Sequence, residues 1–380
     1  MLFKDVLGHN HLVSHLQVSA EQGRVPHAQL FVGPSGVGVL PVALEYAAKL
    51  LSMNDLDSQN AVIERVRQLQ HPDLHFVFPV ATTAEVKKHP VSDLFLDSWR
   101  SFVAENPYGS LFEWYQHIGI ENKQGRIGVD EAQDMVKKLS LKAHQGGYKV
   151  MIVWMAEKMN TECANKILKL VEEPPADSVL ILIAENDEQI IGTIRSRCQK
   201  LNFPLLPQEA IATGLQNKFD LDTATAQALA KRAEGDFSKA VHLHLHDGDN
   251  VTFERWFLYW VRTAFKAKGN KMAINDLLAW SEEVAASGRE TQKQFLAFCT
   301  EFFRDAMLIN YGAQEIAYYI PESPDFDLHK FAPFIHEGNI QEIIANISSA
   351  LYHIERNGNP KIIFSDLAIS LTRLIHKKAS

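Results

Sequence analysis

Apolar positions in this 380-residue chain follow two rules, and the change falls near residue 205. Before it, apolar runs of strand length alternate with stretches whose apolar residues recur every three or four positions. His27–Val32 leads into a glycine-rich turn and then a helical pattern through Leu51. Leu74–Phe78, Lys149–Met155 and Val179–Ala184 read as further strands. Val129–Leu141, with apolar residues at 132, 135, 136 and 139, has helical spacing. Asn160–Glu173 reads as a helix with Asn160 or Thr161 as cap and Pro174-Pro175 as its stop. Strands alternating with helices predict a parallel sheet flanked by helices.

From Pro204 onward the strand pattern disappears. Gln208–Leu243 predicts a group of short helices, and Asp247-Gly248-Asp249-Asn250 reads as a turn-rich break. Asn339–Asn357 carries apolar residues at 340, 343, 344, 347, 351 and 354 between an Asn start and Gly358. Lys361–His376 follows Pro360, a residue suited to a first helical turn. The expected organisation is an α/β domain over 1–205, a small helical domain over 206–248 and an all-helical domain over 249–380. Residues 81–126 fit this least. Their aromatics (Phe95, Trp99, Phe102, Phe112, Trp114, Tyr115) sit among Pro and Gly, as in an insertion packed on the main domain or a partner-binding surface.

Composition narrows the class. Hydrophobic residues at 46% and charged residues at 22% are ordinary for a globular protein. No run of about 18 apolar residues predicts a membrane span. Met1–Asp5 shows no start of a secretory signal, and Cys163, Cys198 and Cys299 are too widely spaced for a disulfide framework or metal knuckle. A reducing cytoplasm is the expected setting. The net charge of −8 argues against a stand-alone nucleic-acid binder.

Gly33-Pro34-Ser35-Gly36-Val37-Gly38 lies between a strand and a helix, the setting of a phosphate loop. A working loop continues with Lys, which reaches the β- and γ-phosphates, and Ser or Thr, which holds Mg²⁺. Here those positions are Val39 and Leu40. ATPases of this kind also end a buried strand in acids that hold Mg²⁺. The strand Val150–Val153 is followed instead by Trp154-Met155, which offer no oxygen to a hard cation. The loop therefore reads as vestigial, with no hydrolysis expected.

The run Lys149–Pro175, KVMIVWMAEKMNTECANKILKLVEEPP, continues through Ile181–Ala184 to Thr193-Ile194-Arg195-Ser196-Arg197-Cys198. With Pro26–Pro34 and Gly128–Glu131, it resembles the AAA+ clamp-loader family, in particular delta-prime-type subunits of the bacterial DNA polymerase III clamp loader. The resemblance implies an α/β P-loop (AAA+) domain with a parallel sheet, a helical lid domain and an all-α collar. It further implies that Arg197, within Ser196-Arg197-Cys198, acts as an arginine finger in a neighbour's ATP site. Such a group is worth about 10³–10⁵ in rate. The implied partners are ATPase subunits and a clamp-opening subunit in a hetero-pentamer, the sliding clamp, and primer-template DNA through the assembly. ATP would be bound by the partners.

Several departures define the subtype. The lid motif Gly-x-x-Arg-x-Ala reads Gly235-Asp236-Phe237-Ser238-Lys239-Ala240, with Ser238 at the arginine position. Asn186 matches a polar sensor position. Residues 52–70 hold no cysteine, so the zinc module of many relatives is absent, and neither a metal nor a cofactor is expected. His242, His244 and His246 lack the acid of a zinc-protease motif and read as surface residues. Two alternatives stay open: an active AAA+ ATPase of DNA repair or replication with unconventional residues such as Lys49 or Glu157, and a nucleotide sensor without turnover.

Overall fold

The computed structural model describes residues 6–53, 59–120, 123–144, 146–245, 247–267, 270, 272–317, 323 and 326–377. The readings made on Met1–Asp5 and His246 lie outside the described residues. The chain divides into two compact units, residues 1–244 and 245–380.

The first unit is built on five strands: β1 (Ala28–Val32), β2 (Leu74–Val77), β3 (Lys149–Val153), β4 (Ser178–Ala184) and β5 (Gln199–Asn202). Their order is β2-β3-β4-β1-β5, and every pairing is parallel. A parallel sheet covered on both faces needs strands apolar on both sides, and every residue of β3 and β4 is buried. The edge strand β5 buries only Leu201, which is why its sequence, QKLN, carries no strand pattern. Helices Asn10–Glu21, Val39–Ser52, Gln59–Arg67, Val129–Ser140 and Thr161–Glu172 accompany the sheet. The last is capped by Asn160, whose side chain accepts from the Cys163 amide at 2.8 Å. Three short helices, Gln208–Phe219, Thr223–Ala233 and Phe237–Leu245, follow the sheet.

Residues 81–126 pack their largest aromatics inward. Helix Leu96–Glu105 and helix Leu111–His117 bring Trp99 and Trp114 together, both fully buried. Trp99 stacks on Phe78 at 4.4 Å and meets Trp114 edge-on at 5.2 Å. The Trp114 indole N–H donates to the Pro79 carbonyl at 2.8 Å. Phe112 and Tyr115 are half-buried.

The second unit is all helical: Asp247–Lys266, Met272–Ala286, Arg289–Asn310, Leu328–Phe331, Glu337–Glu355 and Pro360–Leu374. The break expected at 247–250 is instead helical, because Phe253, Trp256, Phe257 and Trp260 carry a buried stripe that draws the preceding turn into the same helix. Helix Glu337–Glu355 starts before Asn339. His336 is its cap, and Asn339 serves as the third helical residue of a capping box.

One buried acid ties the insertion to the sheet layer. Glu131, 2% exposed, accepts from the Ser92 amide at 2.7 Å. Burial pushes its carboxyl from 4.5 up to about 7, with the Ser92 hydrogen bonds opposing. The folded chain thus holds a proton that the unfolded chain has released. No stability is lost below about pH 4.5, and the loss grows as pH rises to about 7, reaching up to about 3 kcal/mol. Glu131→Gln is expected to remove this loss. Denaturant midpoints should favour the variant increasingly from pH 5 to pH 8, and a pH-independent difference would contradict the assignment.

Candidate functional site

The loop Gly33–Gly38 begins where β1 leaves the sheet between β4 and β5, the carboxyl-end crevice where open α/β sheets bind ligands. The Gly33 amide donates to the Ala184 carbonyl at 3.1 Å. The ring of His9, whose pKa burial lowers, bonds the Val37 carbonyl at 2.9 Å. Gly36 (φ +73°) and Gly38 (φ +92°) are in the left-handed region, which glycine adopts without strain. Val39 and Leu40 open the next helix and are 6% and 5% exposed. They face the core, where a Lys–Ser pair would face phosphate.

The far wall of the crevice is equally apolar. Trp154 and Met155 follow β3 and are 3% and 4% exposed. Trp154 lies against Trp99 of the insertion, ring centroids 5.1 Å apart. Met155 sits in the left-handed region at φ 55°, a costly conformation for an unbranched bulky residue. Glu157, two positions on, accepts from the Glu185 amide at 3.1 Å. Lys49 lies ten residues beyond Val39, about 15 Å along the helix, and pairs with Glu21 at 3.0 Å.

The space left over the loop is small. Its cavity measures about 30 Å³ and is walled by the loop, Leu40, Tyr108, Trp154, Met155 and Glu185. That is room for a water or two, against roughly 300–1,000 Å³ for small-molecule sites. Asp236 stands against Gly36, its Oδ1 only 1.6 Å from where a Cβ would lie. Desolvation raises the carboxyls of both Asp236 and Glu185, the charge of Glu157 adding to the effect at Glu185. A larger cavity of about 630 Å³, lined by Leu7, Pro107, Tyr108, Thr213 and Phe237 among others, includes no loop residue.

Ser238 is 8% exposed, and its hydroxyl donates to Glu113 of the insertion at 3.2 Å. Asn186 caps a short turn by accepting from the Glu188 amide at 2.9 Å. His242 and His244 lie on helix Phe237–Leu245, half-buried. Among the described residues, no group of three or more His, Cys, Asp or Glu is arranged to hold a metal ion. Among them too, no helix is long and apolar enough to cross a membrane.

Ser196, Arg197 and Cys198 sit between helix Gly192–Arg195 and β5. The Arg197 side chain is 41% exposed, its Nε 2.7 Å from Glu172 Oε1. One terminal nitrogen donates to the Thr193 carbonyl at 2.9 Å. Ser196 Oγ donates to the same carbonyl at 3.3 Å. Burial pushes the Cys198 thiol up to about 11. Arg195 points instead toward Asp187. Because β5 runs parallel to β1 with Gln199 level with Gln29 and Asn202 with Val32, Arg197 precedes the sheet at one edge and the loop follows it at the other. Four strand residues separate those edges by about 13 Å.

The loop, its apolar wall and the position of Arg197 are legible in the sequence, and the placement of Tyr108, Glu113 and Asp236 is not. The available signal was Ser110-x-x-Glu113, a capping-box pattern inside the insertion.

The family described as DNA polymerase III, delta subunit, matches residues 8–207. The chain is 28% identical over 232 residues to DNA polymerase III subunit delta′ of Bacillus subtilis, covering 60% of this chain and 57% of that one. To subunit delta′ of Escherichia coli it is 26% identical over 202 residues, covering 53% and 57%. The matches therefore span just over half the length of these relatives. A gamma subunit-related protein of Thermotoga maritima is similar at 15% identity with TM-score 0.43, covering 96% of this chain and 99% of that one.

The packing of Trp154 generates a direct prediction. Restoring an acid by Trp154→Asp should not restore metal binding but destabilise the fold by about 3–5 kcal/mol, the range for emptying a large aromatic site. Urea denaturation reads this, and a loss below about 1 kcal/mol would show that the crevice tolerates charge.

Proposed function

The chain belongs to the DNA polymerase III delta-subunit family, and from that premise we propose that it is a non-hydrolysing clamp-loader subunit of the delta-prime type. In this reading it binds no nucleotide of its own. It sits beside an ATPase subunit and presents Arg197 to that neighbour's nucleotide. The observation that carries the reading is the separation of the two features. The closed loop and the half-exposed Arg197 lie at opposite ends of the neighbouring parallel strands β1 and β5, so Arg197 has no access to its own loop.

The chemistry supports the same division. A phosphate loop attracts anions through amides, a helix N-terminus and a lysine. Here the lysine position is buried valine, and the carboxyls of Asp236 and Glu185 lie beside the loop. Arg197 keeps the permanent charge and planar fork that suit a γ-phosphate in transfer. Its partners in this chain, Glu172 and the Thr193 carbonyl, hold it with one exposed ion pair, worth at most about 1 kcal/mol. A triphosphate could displace that contact at small cost. The collar, the ATPase and clamp-opening partners, the pentameric ring, the sliding clamp and primer-template DNA belong to the proposal, as does the cytoplasmic setting.

The test is reconstitution with the ATPase subunits of its own assembly, measuring DNA-stimulated ATP turnover. Arg197→Ala should assemble normally and lower turnover at the adjoining site by 10³-fold or more, with Arg197→Lys restoring little of it. A fully assembled Arg197→Ala complex that turns over ATP at the wild-type rate would overturn the finger role.

A further inference from the structure

The insertion reaches the loop through its turn between two helices. Tyr108, 4% exposed, lies under Gly38: a Cβ there would stand 2.5 Å from its ring. The hydroxyl of Tyr108 accepts from the Leu7 amide at 3.0 Å, and its ring meets Phe237 at 4.9 Å. Five residues on, Glu113 gathers donors. One oxygen accepts from Asn106 at 2.8 Å, and the other from the Ser110 amide at 2.7 Å, the Ser110 hydroxyl at 2.8 Å and the Ser238 hydroxyl at 3.2 Å. Phe237 and Ser238 open helix Phe237–Leu245, and the Phe237 amide donates to the Gly36 carbonyl at 3.0 Å. Two glycines of the loop, the insertion turn and the start of this helix therefore meet at one point.

We infer that residues 106–113 are the loop's resident ligand, an internal strap that fastens helix Phe237–Leu245 to the loop and keeps it fastened without any nucleotide. The inference deepens the closed-loop reading above and rests on it. Three features argue for a built contact. The approach of Tyr108 requires the missing Cβ of Gly38. The carboxylate of Glu113 has donors from its own turn and from the helix it fastens. Tyr108 also lines both the small cavity over the loop and the larger one beside it.

Hydrogen exchange on the full chain, read by mass spectrometry, tests this. In Tyr108→Ala, exchange should rise roughly tenfold or more, together, in residues 33–40 and 237–245, as expected for losing one cooperative contact region. Helices Val129–Ser140 and Thr161–Glu172 should be unchanged. Glu113→Gln and Ser238→Ala are milder and keep the test available if the tyrosine variant does not fold. Each should loosen residues 237–245, and the pair together no more than either alone. Millimolar Mg·ATP should leave wild-type exchange unaltered. A Tyr108→Ala effect confined to residues 96–117, or additive effects at Glu113 and Ser238, would overturn the strap and leave the closed loop standing. Protection of residues 33–40 and 237–245 by ATP in the wild type would overturn both.

Discussion

The contact between Trp154 and Trp99 governs the rest of the site. Trp154 occupies the end of β3, where a hydrolytic enzyme of this architecture needs an acid, and its ring lies 5.1 Å from the buried Trp99 of the insertion. An ionised carboxylate there would be desolvated and unpaired, which is too costly to sustain. The same contact seats the insertion. With Trp99 and Trp114 anchored, the turn between their helices carries Tyr108 beneath Gly38, and the second of those helices brings Glu113 to Ser238. The apolar end of β3 and the seating of the insertion over the loop are thus one packing arrangement.

Topology then decides what the retained arginine can do. In a parallel sheet the carboxyl ends of all strands gather at one edge, and segments entering strands gather at the other. The loop after β1 and Trp154 after β3 belong to the first edge. Arg197, just before β5, belongs to the second. No side-chain rotation brings it back across the sheet. A charged group with no substrate in its own chain gains one only in an assembly, which is the sense in which the proposed role depends on partners.

Much of this was legible where the cause is local. Asn160 as a cap, Pro360 in a first turn and the apolar β3 and β4 all follow from neighbours in sequence. The absence of Lys at Val39 and of acids at Trp154-Met155 was readable from motif spacing alone. Edge strand β5 was not, because only Leu201 of its four residues is buried. The break expected at 247–250 failed because a strong buried stripe further along the helix outweighed its turn residues. The insertion stayed opaque for a different reason. Its partners are remote: Ser238 lies 125 residues from Glu113, and no local pattern announces that Tyr108 will meet a glycine 70 positions earlier.

The proposed role requires that this chain's own nucleotide site be closed. The most direct measurement is calorimetric titration of the intact, isolated chain with Mg·ATP to millimolar concentration, with thermal unfolding as a parallel readout. A closed site gives no saturable heat and no shift in melting temperature. Saturable binding would stabilise the fold by about 2.7 kcal/mol at a hundredfold excess over Kd. Such a shift, abolished by a bulky substitution at Gly36, would contradict it.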